Sequence, residues 1–469
     1  MKINHVLLKS LLFGLIFFPS LSLSQTISFY VDKKTKQVFT EPGPGREILN
    51  VQMVKAPEST TPVSAASTAT TPHSTSVSLS PQAAPSGGNT PAKSWYEKLS
   101  VRGYTQFRST YMSDDDDVKW YHPADRSVAP DQSFLIRRGR VILSGDVSDH
   151  LYVYVQPELN AAPSDGDFST QLRDLYSDIA LDKEKSFRLR VGQSKVPFGF
   201  VNLQSSQNRL AMERPDAINS AVEGERDLGT YFFWAPPEIR ERFATLVKDG
   251  LKGSGDYGVL AIGAFNGQGL NRSDSNDSPH VLARASYPFK FANGQYFEPG
   301  IQAYGGKFVP RTREITLSDG SDPYEPEYDK NGIEDKRMGF SAILYPQPVG
   351  FEAEWNFGRG PELSSDYSTI EEKSLQGGYI LANMKIDTAG ATFFPFVRWQ
   401  YYDGGRKFGR NSPHVNLDEW DFGLEYSPWK DVELTAMYTY SNSRTNSNDF
   451  PYEDLRDESR LGMQVQVNY

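Results

Sequence analysis

The sequence predicts an all-β protein, a transmembrane antiparallel β-barrel of 16 strands with an inward-folded constriction loop. From residue 95 onward, apolar and polar residues alternate in segments such as 150–159 and 350–358, each about ten residues long, as a membrane strand requires. Hydrophobic residues make up only 38% of the chain, yet there are 28 Phe and 25 Tyr. Many aromatic and few aliphatic residues suit a wall with one apolar face, one polar face and aromatic belts.

The lengths of the connections decide the strand count. A first count gives 17 candidate strands, whereas bacterial barrels use an even number. Short connections at 146–149, 182–185, 345–348, 386–390 and 428–431 alternate with long polar ones near 112–132, 160–170, 196–226, 267–278, 309–333, 359–373, 403–415 and 443–458. This alternation fails only at "WAPPE" (234–238). We therefore interpret 228–249 as one strand interrupted by two prolines, which leaves 16 strands and both chain ends on the periplasmic side.

Individual strands predict which face meets lipid. In "GFEAEWNFG" (350–358), Phe351, Ala353, Trp355 and Phe357 share one face, and Glu352, Glu354 and Asn356 share the other. Carboxylates are costly against lipid, so the Glu face should be the lumen. The alternative architecture is a soluble multi-domain all-β protein, but its connections should be of comparable length at both ends.

The N-terminal part divides into three short regions. Residues 1–24 read as a signal peptide, with Lys2 and Lys9 before the apolar run "LLFGLIFF" (11–18), which is too short to span a bilayer as a helix; a retained membrane anchor is the alternative. Residues 25–55 hold a small periplasmic hairpin-like segment, and 56–94 form a Ser/Thr/Pro/Ala-rich linker. The barrel should occupy 95–469.

Several classes of function are disfavoured by composition. There is no cysteine, and the formal net charge of −10 argues against a nucleic-acid partner. The 6 His are scattered, and no catalytic set rises above background. We predict no enzyme, no cofactor and no metal site. The acidic runs at 113–117, 319–332 and 450–458 could hold calcium, but simple solvated outer loops are the favoured interpretation.

Basic residues on the strands are the candidate pore-lining groups. In "SFLIRRGRVILSGD" (133–146), Val141 and Leu143 should face lipid, which turns Arg138 and Arg140 inward and leaves Arg137 on the outer face. The same alternation turns Arg188, Arg190 and Arg398 inward. The inward acids opposing them are Glu158, Asp174, Asp178, Glu352 and Glu354. Strips of both signs would create a transverse field that filters solutes by charge.

The long connection between residues 191 and 229 is a candidate constriction loop. It is rich in small and semi-apolar residues and lacks the Asp clusters of the other loops. A loop of this length is usually functional or disordered, and an apolar one fits inside a wide barrel. Lys195, Arg209, Arg214 and Arg226 would then lie near the constriction, beside Glu213, Asp216, Glu223 and Glu225. The alternative for each base is that it only attaches the loop to wall carboxylates.

Six segments carry a family resemblance: "SWYEKLSVRGYTQFR", "RRGRVILSGDV", "LRVGQSKVPFGF", "MERPDAINSAVEGERDLG", "AFNGQG" and "EWNFGRGP". They resemble the phosphate- and pyrophosphate-selective outer-membrane porins, over the whole of 95–469, and the run Gly192–Gly199 is the most specific. The resemblance implies a trimeric 16-stranded barrel that passes small anions. Arg138, Arg140, Lys195 and Arg226 sit in matching motifs, so a pore role is implied for them.

The expected function is an outer-membrane porin, a passive channel for small hydrophilic solutes with a modest lean to anions such as phosphate. The lean is modest because acids outnumber bases, 59 to 49. The alternatives are a non-selective general porin, or a closed surface barrel with a structural or adhesive role. Expected partners are outer-membrane lipid and lipopolysaccharide, two further copies in a homotrimer, and the outer-membrane assembly machinery. The last would read the C-terminal strand "LGMQVQVNY" (461–469), whose alternation should close the barrel against the strand beginning near Leu99.

Overall fold

The computed structural model describes residues 30–32, 38–39, 46–48, 94–112, 134–161, 168–316, 322–446 and 456–469. Three short strands, Tyr30–Asp32, Val38–Phe39 and Arg46–Ile48, form a small antiparallel sheet with Tyr30–Asp32 in the middle. Residues 1–24, 56–93, 113–117 and parts of the other two acidic runs lie outside the described residues. Among the described residues, no helix is long and apolar enough to cross a membrane.

Sixteen antiparallel strands close into one barrel, which confirms the predicted 16-stranded β-barrel. The strands are β1 Ser100–Met112, β2 Leu135–Asp146, β3 Leu151–Ala161, β4 Phe168–Ala180, β5 Phe187–Lys195, β6 Arg226–Trp234, β7 Leu260–Phe265, β8 His280–Ser286, β9 Tyr296–Phe308, β10 Ile333–Leu344, β11 Val349–Leu363, β12 Ile370–Met384, β13 Thr392–Gly405, β14 His414–Trp429, β15 Val432–Thr445 and β16 Arg456–Asn468. The two-residue strands Phe289–Lys290 and Ile386–Asp387 extend β8 and β12. β16 pairs with β1 and closes the barrel.

The barrel is apolar outside and charged inside. Phe351 and Phe357 on β11 are 40% and 46% exposed on the outer wall, whereas Glu352, Glu354 and Asn356 between them are buried inward. On β16, Met463 and Val465 are exposed, whereas Gln464 and Gln466 are buried. An exposed apolar face around an enclosed polar lumen is the pattern that a hydrocarbon environment demands.

One helix has 12 residues and lies at the end of the barrel where the strands are joined by short turns. The other helices of the described residues are only three or four residues long. All of them together are the 3-10 segments Trp95–Lys98 and Glu223–Glu225, and the α-helices α1 Phe200–Leu203, α2 Asp216–Asn219 and α3 Pro237–Lys248. We call the end with the turns 147–150, 181–186, 345–348 and 430–431 the short-turn end. α1 and α2 belong to the connection between β5 and β6, and α3 belongs to the connection between β6 and β7.

The interpretation of 228–249 as one strand is wrong. β6 ends at Trp234, and α3 follows from Pro237 to Lys248. Pro236 and Pro237 suit a helix start, where a missing N–H costs nothing. Ile239, Phe243 and Leu246 are buried at helical spacing. The prolines therefore begin a helix rather than interrupt a strand, and the connection at this one place on the short-turn end is long.

Candidate pore site

Residues 196–225, which we call the inner loop, pack against the inner face of the barrel on opposite sides. The N–H groups of Phe200 and Val201 donate to Glu354 on β11, at 2.6 and 2.8 Å. Gln106 on β1 donates to the Ser206 carbonyl at 3.2 Å. Asn356 donates to the Ala217 carbonyl at 2.9 Å. Because β1 and β11 lie far apart around the barrel, these bonds hold the inner loop across the lumen.

Gly199 makes the turn into the inner loop. Its φ is 82°, and a Cβ there would lie 2.5 Å from Cγ2 of Ile218. L-residues rarely adopt this backbone conformation, so the final glycine of the Gly192–Gly199 motif has a direct structural role.

We expect Gly199→Ala to destabilise the barrel by roughly 1–3 kcal/mol, since strained φ and steric contact act together. The matched control is Gly390→Ala in a short turn, where φ is not strained and no atom lies within 4 Å of the new Cβ. Urea unfolding of both variants in detergent micelles measures the difference. Equal unfolding free energies for the two variants would contradict this role of Gly199.

Glu213 of the inner loop is the centre of the first cationic cluster. Its carboxylate accepts from Arg108 on β1 at 3.1 Å and from Arg137 and Arg138 on β2 at 2.8 and 2.9 Å. Burial favours the neutral acid, but the guanidinium groups of Arg137, Arg138 and Arg108 outweigh it and hold the pKa of Glu213 well below its usual range. The cluster fixes the tip of the inner loop to the wall.

The second cluster surrounds Glu158 on β3. Arg140 forms an ion pair with it, and Arg173 on β4 approaches to 3.6 Å. The same Arg140 guanidinium donates to the Tyr104 hydroxyl at 2.7 Å and to the Ser206 hydroxyl at 2.8 Å. Arg140 therefore joins a wall carboxylate to the inner loop.

Glu225, at the end of the inner loop, is the centre of the third cluster. Arg173 reaches it at 2.9 Å, and Arg214 and Arg226 also form ion pairs with it. Arg226 donates in addition to Asp174 on β4 at 2.9 Å. The second and third clusters share Arg173. The first is linked to the second through Gln106 and Ser206, so the three form one network.

Two β-bulges add arginines to this network. Gln106 pairs with Arg138 and Phe107 with Ile136, so Arg137 is the extra residue of β2. In the same way Gln156 pairs with Asp174 and Pro157 with Leu172, so Arg173 is the extra residue of β4. A bulge turns its extra side chain away from strict alternation. The prediction that Arg137 faces outward is therefore wrong, and Arg173 was missed for the same reason.

Arg209 of the inner loop differs from its neighbours. It is 7% exposed, and none of its three guanidinium nitrogens has a hydrogen-bond partner within the described residues. Burial and the charge of Arg138 lower its pKa well below the usual value, against the opposing charge of Glu213. A buried guanidinium without a partner leaves five donor N–H bonds free for an anion.

The remaining predicted residues occupy three different places. Lys195 donates to the Leu203 and Gln204 carbonyls and attaches the inner loop to β5. Near the short-turn end, Arg190 forms a bidentate ion pair with Asp178, with hydrogen bonds of 2.7 and 2.9 Å. Arg188 forms an ion pair with Asp256 at the same end. Arg398 pairs with Asp421 on the opposite wall and donates to the Glu213 carbonyl at 2.6 Å.

Sequence reasoning did not single out Arg108 and Arg173 as pore residues. Arg108 has a signal: it follows Tyr104 and Gln106 at two-residue spacing, the inward face of β1. Arg173 has none, because only the bulge turns it inward.

A closed barrel with an apolar wall and a charged lumen crossed by a loop defines a porin-type membrane channel. A protein-family model described as phosphate-selective porin O and P matches residues 107–469. The chain belongs to this family and is an outer-membrane porin. Among curated proteins there is no match.

Solved structures with a similar fold include channels from several bacteria. The outer membrane channel DcaP of Acinetobacter baumannii is 13% identical, with a TM-score of 0.46 over 79% of this chain and 97% of that one. OmpF of Salmonella typhi, in complex with daunomycin, is 13% identical, with a TM-score of 0.48 over 80% and 99%. An anion-selective porin from Comamonas acidovorans is 8% identical, with a TM-score of 0.45 over 79% and 99%.

Proposed function

We propose that the barrel is a passive channel for small hydrophilic solutes with a preference for anions such as phosphate. One observation carries the proposal: within the three clusters, the carboxylates are outnumbered by the arginines paired with them. Four carboxylates (Glu158, Asp174, Glu213 and Glu225) pair with seven arginines (Arg108, Arg137, Arg138, Arg140, Arg173, Arg214 and Arg226). Arg209 and Lys195 add two further cations. The three clusters therefore carry a positive charge although the chain has a net charge of −10.

This charge distribution supports anion passage in two ways. The excess of guanidinium groups, in a lumen with low-dielectric walls, raises the local anion concentration. The paired carboxylates reduce the attraction, so that an anion is bound weakly enough to leave again. The site requires no cofactor for this, and the side chains act only through charge and hydrogen bonding.

The same proposal includes the orientation of the barrel in the outer membrane. The short-turn end faces the periplasm, together with the N-terminal segment 25–55, and the long loops face outward. The outer wall contacts lipid and lipopolysaccharide, and the C-terminal strand is read by the outer-membrane assembly machinery. The functional unit is a homotrimer, as expected for this family.

Planar-bilayer recording in a salt gradient tests the selectivity. The wild-type channel should show a reversal potential of the sign expected for anions, and Arg140→Ala should reduce it. Lys195→Ala should reduce it less, because its ammonium group is bonded to carbonyls. The control is Lys336→Ala, whose side chain is 48% exposed. An unchanged reversal potential in both lumen variants would refute the assignment.

The same recording separates the alternatives. Open conductance with equal anion and cation permeability indicates a general porin. A folded barrel without conductance indicates a structural or adhesive surface protein.

A further inference from the structure

A second segment enters the lumen, from the short-turn end. Residues 235–259, which we call the floor segment, connect β6 to β7 and contain α3. Ile239, Phe243 and Leu246 of α3 pack against Phe200 of the inner loop. They also pack against the buried Tyr296 of β9, Ile343 of β10 and Tyr345 of the turn after β10. All of these side chains are at least nine-tenths buried. The helix therefore fills the part of the lumen beside β9 and β10 and supports the inner loop.

Beyond α3, the floor segment reaches the opposite wall. Lys252 forms an ion pair of 2.6 Å with Glu425 on β14, and both side chains are buried. β14 is eight strands from β6 in a closed barrel of 16 strands, so the two lie on opposite sides. The ammonium group of Lys252 also lies over the ring of Phe394 on β13, 4.7 Å from the ring centre. The floor segment thus spans the lumen.

The floor segment is also bonded to the inner loop. The Gln204 side chain donates to the Lys252 carbonyl at 2.6 Å. The Gln204 carbonyl in turn accepts from Lys195 on β5. A continuous chain of bonds therefore runs from β5 through the inner loop and Lys252 to Glu425 on β14.

One cavity lies beside the floor segment, on the side of β2–β5. It has a volume of about 320 Å³. The wall contributes Tyr152, Tyr176, Arg188 and Arg190, and the floor segment contributes Arg240 and Asp256. β2, β3 and β4 each contribute residues both to this cavity and to the arginine network, so the two lie on the same side of the barrel.

We propose that the floor segment sets the size limit of the channel and that Lys252 is the residue that holds it in place. Solutes pass along β1–β5 and leave through the cavity beside Arg188 and Arg190, because the floor segment blocks the route along β9 and β10. Lys252 acts through Glu425 and Gln204 and does not itself contact the solute. The inference rests on the proposed channel function.

Conductance and liposome swelling test this inference. Lys252→Met keeps a side chain of similar length but removes the charge, and Glu425→Gln breaks the same ion pair from the wall. We expect both to raise single-channel conductance at least twofold and to admit sugars that the wild type excludes. The ratio of anion to cation permeability should stay unchanged, because the arginine network is intact. The exposed Lys248 of α3 provides the control, Lys248→Met.

The double variant Lys252→Glu with Glu425→Lys exchanges the two charges and should restore the wild-type size limit. A merely destabilised barrel would not recover in this way. If Lys252→Met and Glu425→Gln keep the wild-type size limit, the role of the floor segment is refuted while the channel function stands. A folded wild-type barrel without conductance refutes the channel function instead.

Discussion

Glu213→Gln should lower the free energy of unfolding by roughly 3–5 kcal/mol, since removing one partner of a buried ion pair leaves the other charge unpaired. Here one carboxylate neutralises Arg108, Arg137 and Arg138 together. Glutamine keeps the shape and one acceptor oxygen but leaves three guanidinium groups in mutual repulsion. The loss should be partly recovered as phosphate is added, because a bound anion replaces the missing charge.

The matched control is Glu334→Gln. Glu334 also pairs with a basic side chain, Lys336, but its own side chain is 45% exposed, and exposed pairs contribute about 0–1 kcal/mol. Chemical unfolding in detergent micelles, followed by intrinsic fluorescence, compares the two variants. An equal unfolding free energy for Glu213→Gln and Glu334→Gln would show that Glu213 does not anchor the inner loop.

Glu213→Gln should also shift ion selectivity. It raises the formal charge at the network by one, so the reversal potential should move further in the anion direction. This readout is independent of the stability measurement. A shift toward cations would contradict the placement of Glu213 at the passage.

The barrel could be predicted from the sequence because alternation has one cause in every strand. Lipid outside and water or protein inside require side chains of opposite polarity at successive positions, so Glu352 and Glu354 on β11 were placed correctly. Loop lengths also gave the correct strand count, although residues 228–249, which were merged into one strand to reach it, are the end of a strand followed by a helix.

The details of the site depart from alternation, and this is why they were harder to predict. Arg137 and Arg173 face inward only because a bulge in β2 and a bulge in β4 each insert one residue, and a bulge depends on the pairing partner rather than on the strand's own pattern. The floor segment was predicted incorrectly because residues on both sides of Pro236 and Pro237 were assigned to one strand. The spacing of Ile239, Phe243 and Leu246 is helical and could have revealed α3.

Arg209 should contribute differently to stability and to anion binding from the arginines that pair with carboxylates. Most arginines of the network are paired with carboxylates, so their removal should cost stability whatever the channel transports. Arg209 has no protein hydrogen-bond partner among the described residues, and its charge lies beside Arg138 and Arg140. A buried charge that the fold does not satisfy costs free energy, and a bound anion would satisfy it.

Arg209→Gln should therefore weaken anion binding without destabilising the barrel. Hydrogen bonds to charged groups contribute roughly 1.5–3 kcal/mol, which corresponds to a loss of about tenfold or more in phosphate affinity. The affinity is measured as the phosphate concentration that halves the chloride current through single channels. The unfolding free energy should stay the same or increase, because a buried cation and its repulsion with Arg138 are removed.

Arg398→Gln is the matched control, because Arg398 is also buried but pairs with Asp421 at 2.6 Å. It should lower the unfolding free energy by roughly 3–5 kcal/mol, as for other broken buried pairs, and change phosphate affinity little. Opposite outcomes for the two variants distinguish an arginine that binds the anion from an arginine that stabilises the fold. If Arg209→Gln destabilises the barrel as much as Arg398→Gln and leaves phosphate affinity unchanged, Arg209 is structural, and the anion preference must come from the paired arginines alone.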